Sequence, residues 1–180
     1  MPTNDKDIIR AMREDAEKGF RLLMKSYKEP LYWHIRRLVV SHDDAQDAAQ
    51  ETFIRIFRSF GHYSEANSLR AWLFRIATNE ALRLLGRQKN ATMLSLDDVT
   101  ADMLSTKANA YHDSSDALVV RLQKAIFHLP AKQQLAFNLR YYDELSYDEI
   151  AEVAGSSAAS VKMNYHLAKE KIIEYMQKND

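Results

Sequence analysis

The chain has 180 residues, of which 46% are hydrophobic, 28% charged and 10% aromatic, so it can bury the core of one domain or of two small ones. It contains no cysteine, which excludes disulfide bonds, thiol catalysis and thiolate-rich zinc sites. The formal net charge is +0. The first residues are polar, and no apolar run approaches the roughly 18 to 20 residues of a membrane span. We therefore expect a cytoplasmic protein without membrane insertion.

Charge is distributed unevenly along the chain. Residues 20–90 contain 12 Lys or Arg against 7 Asp or Glu, residues 91–117 contain 1 against 5, and residues 118–180 contain 8 against 8. This pattern predicts a basic domain at residues 1–90, an acidic flexible linker at residues 91–117 and a second domain at residues 118–180.

Apolar residues at spacings of three and four, with few glycines and prolines, predict an all-α protein made of two small helical domains. In the first domain we expect helices at residues 5–15, 16–40, 43–59 and 69–85. Pro30 should break or kink the second helix, and the fourth should end near Gly86. At the start of the third helix, Ser41 and Asp44 resemble a capping box. Its predicted apolar face consists of Ala48, Phe53, Ile56, Phe57 and Phe60, of which we expect the phenylalanines at 53 and 57 to belong to the core.

Four further helices are predicted in the second domain. The first spans residues 116–128, and Pro130 marks the start of the next, which ends near residue 142. Ser146 and Glu149 form a capping box for a helix that ends at Gly155. Ser157 is the expected N-cap of a last helix that ends near residue 177.

The last two helices, joined at a glycine turn, have the pattern of a helix-turn-helix. Val161, Tyr165, Ala168 and Ile172 recur at intervals of four, three and four, which predicts one buried stripe. The side chains that point away from this stripe are Ser160, Lys162, Met163, Asn164, His166 and Lys169. Taken alone, the segment fits a DNA-reading motif or an ordinary helical hairpin equally well.

Two longer segments of the chain resemble bacterial sigma factors. The stretch that reads "LPAKQQLAFNLRYYDELSYDEIAEVAGSSAASVK" resembles the promoter-reading C-terminal domain of the sigma-70 family. The core-binding and minus-10-reading domain of the same family resembles "DAQDAAQETFIRIFRSF" followed by "SLRAWLFRIATNEALRLLGR". Two domains in this order, with a variable linker and no further regions, are typical of the extracytoplasmic-function (ECF) group. The resemblance implies a protein that binds core RNA polymerase and directs it to promoter DNA for transcription initiation.

The resemblance also implies roles for residues of the first domain. Asp47, Gln50 and Glu51 match the positions that dock on a coiled coil of the polymerase, and their carboxylates and amide can pair with basic residues of such a helix. The loop residues His62, Tyr63, Ser64 and Asn67 match the place where ECF factors receive a base flipped out of the minus-10 element. Asn79 matches a minus-10-reading position. Arginines that follow the loop are the expected phosphate contacts: Arg70, Arg75, Arg83 and Arg87. Trp72 is expected to belong to the core rather than to touch DNA.

For the minus-35 element, the resemblance assigns DNA contact to the exposed side of the last helix, at Ser160, Lys162, Met163, Asn164, His166 and Lys169. The chain departs from the family here, because Asn164 and Leu167 occupy positions where arginine is typical. Only two or three phosphate contacts are therefore expected. The logarithm of the DNA-binding constant should then fall with the logarithm of the salt concentration with a slope of about 2 to 3, at roughly 0.9 per contact. This quantity is called the salt slope from here on. We expect this domain to bind promoters weakly until core polymerase holds it near its site.

Other functions fit the sequence less well. The six histidines are scattered without ligand spacing and no glycine-rich phosphate loop occurs, so we expect no enzyme, no metal and no cofactor. A helix-turn-helix regulator that acts without core polymerase would leave the motif at residues 44–60 unexplained. A helical adaptor that binds only proteins would fit the poorly basic last helix. The resemblance adds an anti-sigma factor as an expected partner.

Overall fold

The computed structural model describes residues 3–39, 41–88 and 117–178, with the backbone alone at residues 87 and 88. Over these ranges every regular element is helical, which confirms the predicted all-α class. No helix in these ranges combines the length and the apolar character that crossing a membrane requires. The chain divides into two compact units, Met1–Leu84 and Leu85–Asp180. Nearly all of the predicted linker at residues 91–117 lies outside the described residues, so the linker and the domain boundaries stay predictions.

The front unit begins with two helices that pack against each other, α1 (Asp5–Glu14) and α2 (Ala16–Val39). Asn4 is the N-cap of α1, because its side chain accepts a hydrogen bond from the backbone N–H of Asp7 at 3.0 Å. A Cβ atom at Gly19 would lie 2.2 Å from the backbone nitrogen of Met12, so the close approach of the two helices requires glycine at this position.

α2 continues through Pro30 without a break, so the predicted break is wrong, and the alternative of a kink stays a prediction. Pro30 is exposed, whereas Leu23 and Tyr27 before it and Leu31 and Ile35 after it are buried. This packing anchors the helix on both sides of the proline. It outweighs the cost of an interior proline, which is roughly 3 kcal/mol.

Two further helices complete the front unit, α3 (His42–Ser59) and α4 (Leu69–Gln88), with a 3₁₀ turn (Phe60–His62) after the first of them. The hydroxyl group of Ser41 accepts a hydrogen bond from the N–H of Asp44 at 3.4 Å, as expected for an N-cap. α4 ends at Gln88 rather than near Gly86, so its predicted end is wrong. Glycine inside a helix costs about 1 kcal/mol relative to alanine. The burial of Leu82 and Leu85 offsets that cost.

His34 connects α2 to α4 in the core of the front unit, where it is 0% exposed. Its Nε2 atom lies 2.8 Å from Oγ1 of Thr78, and the Thr78 hydroxyl donates to the carbonyl oxygen of Phe74 at 2.7 Å. The imidazole must therefore donate its Nε2–H to the threonine. Burial, followed by the nearby charge of Arg37, lowers the pKa of His34 from 6.5 to about 3. The ring is neutral near pH 7 and belongs to the core.

The back unit consists of four helices that begin and end within one residue of the predicted bounds: α5 (Ala117–Phe127), α6 (Ala131–Tyr141), α7 (Tyr147–Ala154) and α8 (Ala158–Lys178). Contacts of α8 with α5, α6 and α7 enclose the core of this unit. One apolar cluster of this core consists of Ala125, Ile126, Leu129, Phe137, Ala168 and Ile172.

α7 and α8 form the predicted helix-turn-helix. The hydroxyl of Ser146 accepts from the N–H of Glu149 at 3.1 Å, and the Glu149 carboxylate accepts from the N–H of Ser146 at 3.0 Å. This confirms the capping box. Gly155 ends α7 with φ of 67°, a left-handed conformation that favours glycine. The hydroxyl of Ser157 accepts from the N–H of Ser160 at 3.1 Å and thereby caps α8.

Candidate protein- and nucleic-acid-binding surfaces

An acidic edge of α3 presents the three side chains assigned to polymerase binding. Asp47, Gln50 and Glu51 are all exposed. Asp47 and Gln50 also line an open groove of about 1240 Å³ between α2 and α3, called the α2–α3 groove from here on. Its apolar lining includes Phe20, Met24, Tyr32, Trp33, Phe53 and Phe57.

Two aromatic side chains of the α2–α3 groove remain open to solvent. Trp33 is 50% exposed and Phe57 is 47% exposed. The ring of Phe57 meets the edge of Phe20 at 5.2 Å between centroids, and Trp33 meets Tyr32 at 5.3 Å. Large exposed aromatics rimmed by polar groups are typical of protein interfaces.

The prediction that Phe57 belongs to the core is therefore wrong, whereas Phe53, at 9% exposed, does belong to it. Phe57 follows Phe53 by four residues on the same side of α3, but there it contacts the half-buried Phe20 and lines the open α2–α3 groove. The exposure of Trp33 was not predicted. It follows from the helical period, because the apolar positions Leu31, Ile35 and Leu38 define a face of α2 that excludes residue 33.

The loop at residues 61–68 has an aromatic support beneath it. Tyr63 is 7% exposed, and its ring centroid lies 5.6 Å from that of Phe60 and 5.2 Å from that of Trp72. Its hydroxyl donates to the carbonyl oxygen of Asn67 at 2.6 Å. The resemblance predicts base contact for Tyr63, whereas its buried position suits a residue that holds the loop in shape.

The other loop residues assigned to a flipped base lie on the surface. His62, Ser64 and Asn67 are all exposed. Glu65, between them, forms an ion pair of 2.7 Å with Arg13 of α1, which attaches the loop to the first helix. The loop thus presents polar side chains outward from a fixed base.

α4 carries a polar row on its outer side. Arg75, Asn79 and Arg83 follow one another at intervals of four residues, and the first two are exposed while Arg83 is partly exposed. Arg70, in the first turn of α4, is half-buried. The side chain of Arg87 lies outside the described residues. Trp72 is half-buried and its ring contacts Tyr63 and Phe60, and its absence from the DNA contact stays a prediction.

The outer side of α8 contains the residues assigned to the minus-35 element. Ser160, Lys162, Met163, His166 and Lys169 are exposed, and Asn164 is partly buried. On the inner side Val161, Ala168 and Ile172 are buried, and Tyr165 is partly buried, so the predicted stripe is present.

Two of the groups on this outer side already have partners within the helix. The ammonium group of Lys169 lies over the ring of Tyr165 at 4.8 Å from its centroid. Nε2 of His166 lies 3.3 Å from a carboxylate oxygen of Glu170, and both side chains are more than 60% exposed. DNA phosphates would have to compete with these contacts for the two side chains, and the arginines typical of the family are missing as well.

Comparisons with known protein families match both units. Residues 23–91 match the family model described as Sigma-70 region 2, and residues 120–172 match the model described as Sigma-70, region 4. The two matches occur on one chain in this order.

Curated relatives cover nearly the whole chain. The chain is 28% identical over 184 residues to the RNA polymerase sigma-H factor of Pseudomonas aeruginosa, across 96% of this chain and 94% of that protein. It is 27% identical over 173 residues to the ECF RNA polymerase sigma factor SigW of Bacillus subtilis, across 92% of both chains. It is 32% identical over 161 residues to the ECF RNA polymerase sigma factor SigE of Mycolicibacterium smegmatis, across 87% of this chain and 61% of that protein.

Solved structures share the fold. CnrH, solved in complex with the cytosolic domain of CnrY, superposes with a TM-score of 0.71 at 18% identity, over 98% of this chain and 99% of that chain. The sigma factor RpoE of Bartonella quintana, solved in complex with the anti-sigma factor NepR, superposes with a TM-score of 0.67 at 23% identity, over 89% and 98% of the two chains.

Proposed function

The chain belongs to the ECF group of the sigma-70 family, and we propose on this basis that it binds core RNA polymerase and directs it to promoter DNA. One observation carries the proposal: a region 2 match at residues 23–91 and a region 4 match at residues 120–172 occur in family order on one chain. A regulator that acts without polymerase would need only the second of them.

We assign polymerase binding to the acidic edge of α3 together with the α2–α3 groove. Asp47, Gln50 and Glu51 offer carboxylate and amide oxygens to a basic helix, and Trp33 and Phe57 offer apolar surface next to them. Aromatic anchors with neighbouring charges are the combination that carries most binding energy at protein interfaces. Burial of both rings against polymerase would remove the exposed aromatic surface of the free chain.

We assign the minus-10 element to the loop at residues 61–68 and to the polar row on α4. His62, Ser64 and Asn67 would contact a flipped base, while Tyr63 holds the loop that presents them. Asn79 would read the neighbouring bases, and Arg70, Arg75, Arg83 and Arg87 would contact phosphates.

The minus-35 element is assigned to the outer side of α8. Ser160 and Asn164 can bond to base edges, and Met163, at 58% exposed, can contact a thymine methyl group. With few cations free to contact phosphates, α8 contributes little affinity by itself. The front unit, bound to polymerase, would supply the rest by keeping the back unit near its site.

We retain the domain organisation inferred from the sequence, with domains at residues 1–90 and 118–180 and a linker at residues 91–117. Promoter elements about 25 base pairs apart are separated by roughly 85 Å at 3.4 Å per pair. The linker spans about 90 to 97 Å when extended but only about 30 Å as a coil. It must therefore be extended in the complex, and its acidity suits a basic channel of the polymerase.

We further propose that the chain is a non-enzymatic protein of the cytoplasm. We also propose that an anti-sigma factor controls it. RpoE was crystallised with the anti-sigma factor NepR, and CnrH was solved with the cytosolic domain of CnrY, which supports a protein partner of this class for the chain. The exposed aromatics of the α2–α3 groove give such a partner a surface where it would compete with polymerase.

Transcription by core RNA polymerase on a library of promoter fragments tests the function. The expected result is a set of start sites that appear only when the chain is added. No start sites above those of core polymerase alone would contradict the proposal. Co-purification with core polymerase separates a sigma factor from an independent regulator, and promoter-specific transcription separates it from an adaptor.

A further inference from the structure

A buried carboxylate joins two arginines at the junction of α3 and α4. The side chain of Glu80 is 3% exposed, although it lies on α4 between the exposed residue Asn79 and the partly exposed residue Arg83. Its partners include the guanidinium group of Arg55 on α3, with which it forms an ion pair, and that of Arg83, at 3.6 Å. One carboxylate thus holds cations from two helices.

The two arginines keep binding capacity beyond this carboxylate. The side chains of Arg55 and Arg83 are 45% and 41% exposed, so part of each guanidinium group faces solvent. A guanidinium group carries several N–H donors in a fixed plane, and one carboxylate oxygen engages only some of them. Two guanidinium groups also outnumber one carboxylate, so the cluster has a net positive charge.

The cluster lies at the end of the surface assigned to promoter DNA. Arg83 is the last described side chain of the row that begins with Arg75 and Asn79. Arg55 is exposed but does not line the α2–α3 groove, unlike its neighbours Ile54 and Phe57. Arg55 is therefore separated from the groove on α3 and connected to the polar row of α4 through Glu80.

We propose that Arg55 and Arg83 form one phosphate-binding site for promoter DNA, and that Glu80 is the positioning residue that orients both guanidinium groups. This inference rests on the proposed function, since it names a further contact of the same DNA-binding surface. Arginine is suited to phosphate because its planar donors match two phosphate oxygens, and a fixed orientation lowers the entropy lost on binding.

The alternative is that Glu80 only neutralises the arginines or fastens α3 to α4. Positioning and neutralisation have opposite consequences for Glu80→Gln, and fastening is tested by thermal unfolding of the variant. Removal of a carboxylate that only neutralised would raise the local positive charge and tighten DNA binding. Removal of a positioning carboxylate leaves two mobile arginines, so phosphate contact weakens in spite of the added charge.

The test uses the full chain assembled with core polymerase and a promoter fragment that the wild-type holoenzyme selects from a library. The dissociation constant is measured between 50 and 200 mM salt. Arg55→Gln and Arg83→Gln should each lower the salt slope by about 0.9, so that across this range the wild-type affinity falls about 3.5-fold more than that of either variant. Glu80→Gln should lower the slope as well, and Arg55→Gln added to it should have little further effect.

Arg21→Gln and Glu17→Gln serve as matched controls, because this pair of 2.9 Å lies exposed on α2 and its removal should leave the slope unchanged. Core affinity and thermal unfolding are measured for every variant, and if Glu80→Gln does not fold, the two arginine variants carry the test. An unchanged slope for Arg55→Gln, or tighter binding by Glu80→Gln, overturns the inference. A wild-type chain that forms no holoenzyme or selects no promoter contradicts the proposed function instead.

Discussion

The hydroxyl group of Tyr63 donates a hydrogen bond of 2.6 Å to the main-chain carbonyl oxygen of Asn67, across the loop assigned to the minus-10 element. Tyr63→Phe removes this bond and keeps the ring contacts with Phe60 and Trp72. A hydrogen bond of this kind stabilises by about 1 kcal/mol, which corresponds to a factor of about five in the population of the ordered loop. We expect transcription at limiting promoter concentration to fall by up to about five-fold.

The control is Tyr27→Phe, which removes a hydroxyl that donates to Asp5 at 2.7 Å, away from the loop. It should lower the unfolding temperature to a similar extent and leave promoter use unchanged. Equal losses of transcription in the two variants would show that general stability, and not the loop, is responsible.

The acidic edge of α3 should govern the affinity for core polymerase. Asp47→Lys and Glu51→Lys place a cation where a carboxylate is proposed to meet basic residues, so like charges then repel. We expect each to weaken core binding at least about ten-fold, which corresponds to about 1.4 kcal/mol. Competition for core polymerase against a labelled wild-type chain measures this affinity. Glu17→Lys makes the same charge change on α2 and should not weaken binding, and equal loss in that variant would point to net charge alone.

An added arginine on α8 should strengthen DNA binding by the free chain. Asn164→Arg restores a cation at a position where the family typically has one, and should raise the salt slope by about 0.9. Fluorescence anisotropy of the full chain with duplex DNA, in the absence of polymerase, measures the slope. Ile173→Arg adds the same charge at an exposed position about two and a half turns beyond Asn164 and should raise it less. Equal increases would argue that the added charge acts regardless of its place on α8.

His34 should make the stability of the protein depend on pH. Its folded pKa of about 3 lies below the unfolded value near 6.5, so below pH 6.5 the unfolded chain takes up a proton that the folded chain does not. Stability therefore falls as the pH falls, by about 1.3 kcal/mol between pH 7 and pH 5.5 from this residue. Denaturant unfolding of the wild type and of His34→Gln should give curves that diverge by this amount. Parallel pH dependence of the two proteins would contradict the assignment.

The sequence predicted the helices of the back unit best because local chemistry determines their ends. Ser146 with Glu149, Gly155 and Ser157 satisfy the backbone groups at helix termini through residues only a few positions away. At Pro30 and Gly86 the same local rules gave a wrong answer. There, burial of residues along α2 and α4 outweighs the local penalty, and such packing depends on partners distant in sequence.

The exposure of a candidate side chain could be predicted from the sequence where its polarity requires contact with solvent. It could not be predicted where a contact with a residue distant in sequence determines the exposure. The exposure of Asp47, Gln50 and Glu51 follows from their charge and polarity. Tyr63 is buried although the resemblance predicts that it contacts a base, and Phe57 is half exposed although we expected it in the core. For Phe57 the reason is that periodicity alone does not distinguish the rim of a groove from a core. The contact of Arg55 with Glu80 joins positions on different helices, and no local pattern indicates it.

The turn at Gly155 and the caps of its two helices determine the shape of the helix-turn-helix. Caps at Ser146 and Ser157 and the buried side of α8 set the angle between the two helices. None of those constraints involves the outward side chains from Ser160 to Lys169. Substitution of these outward residues is therefore expected to leave the fold intact, so the proposed DNA contacts can change without a loss of stability.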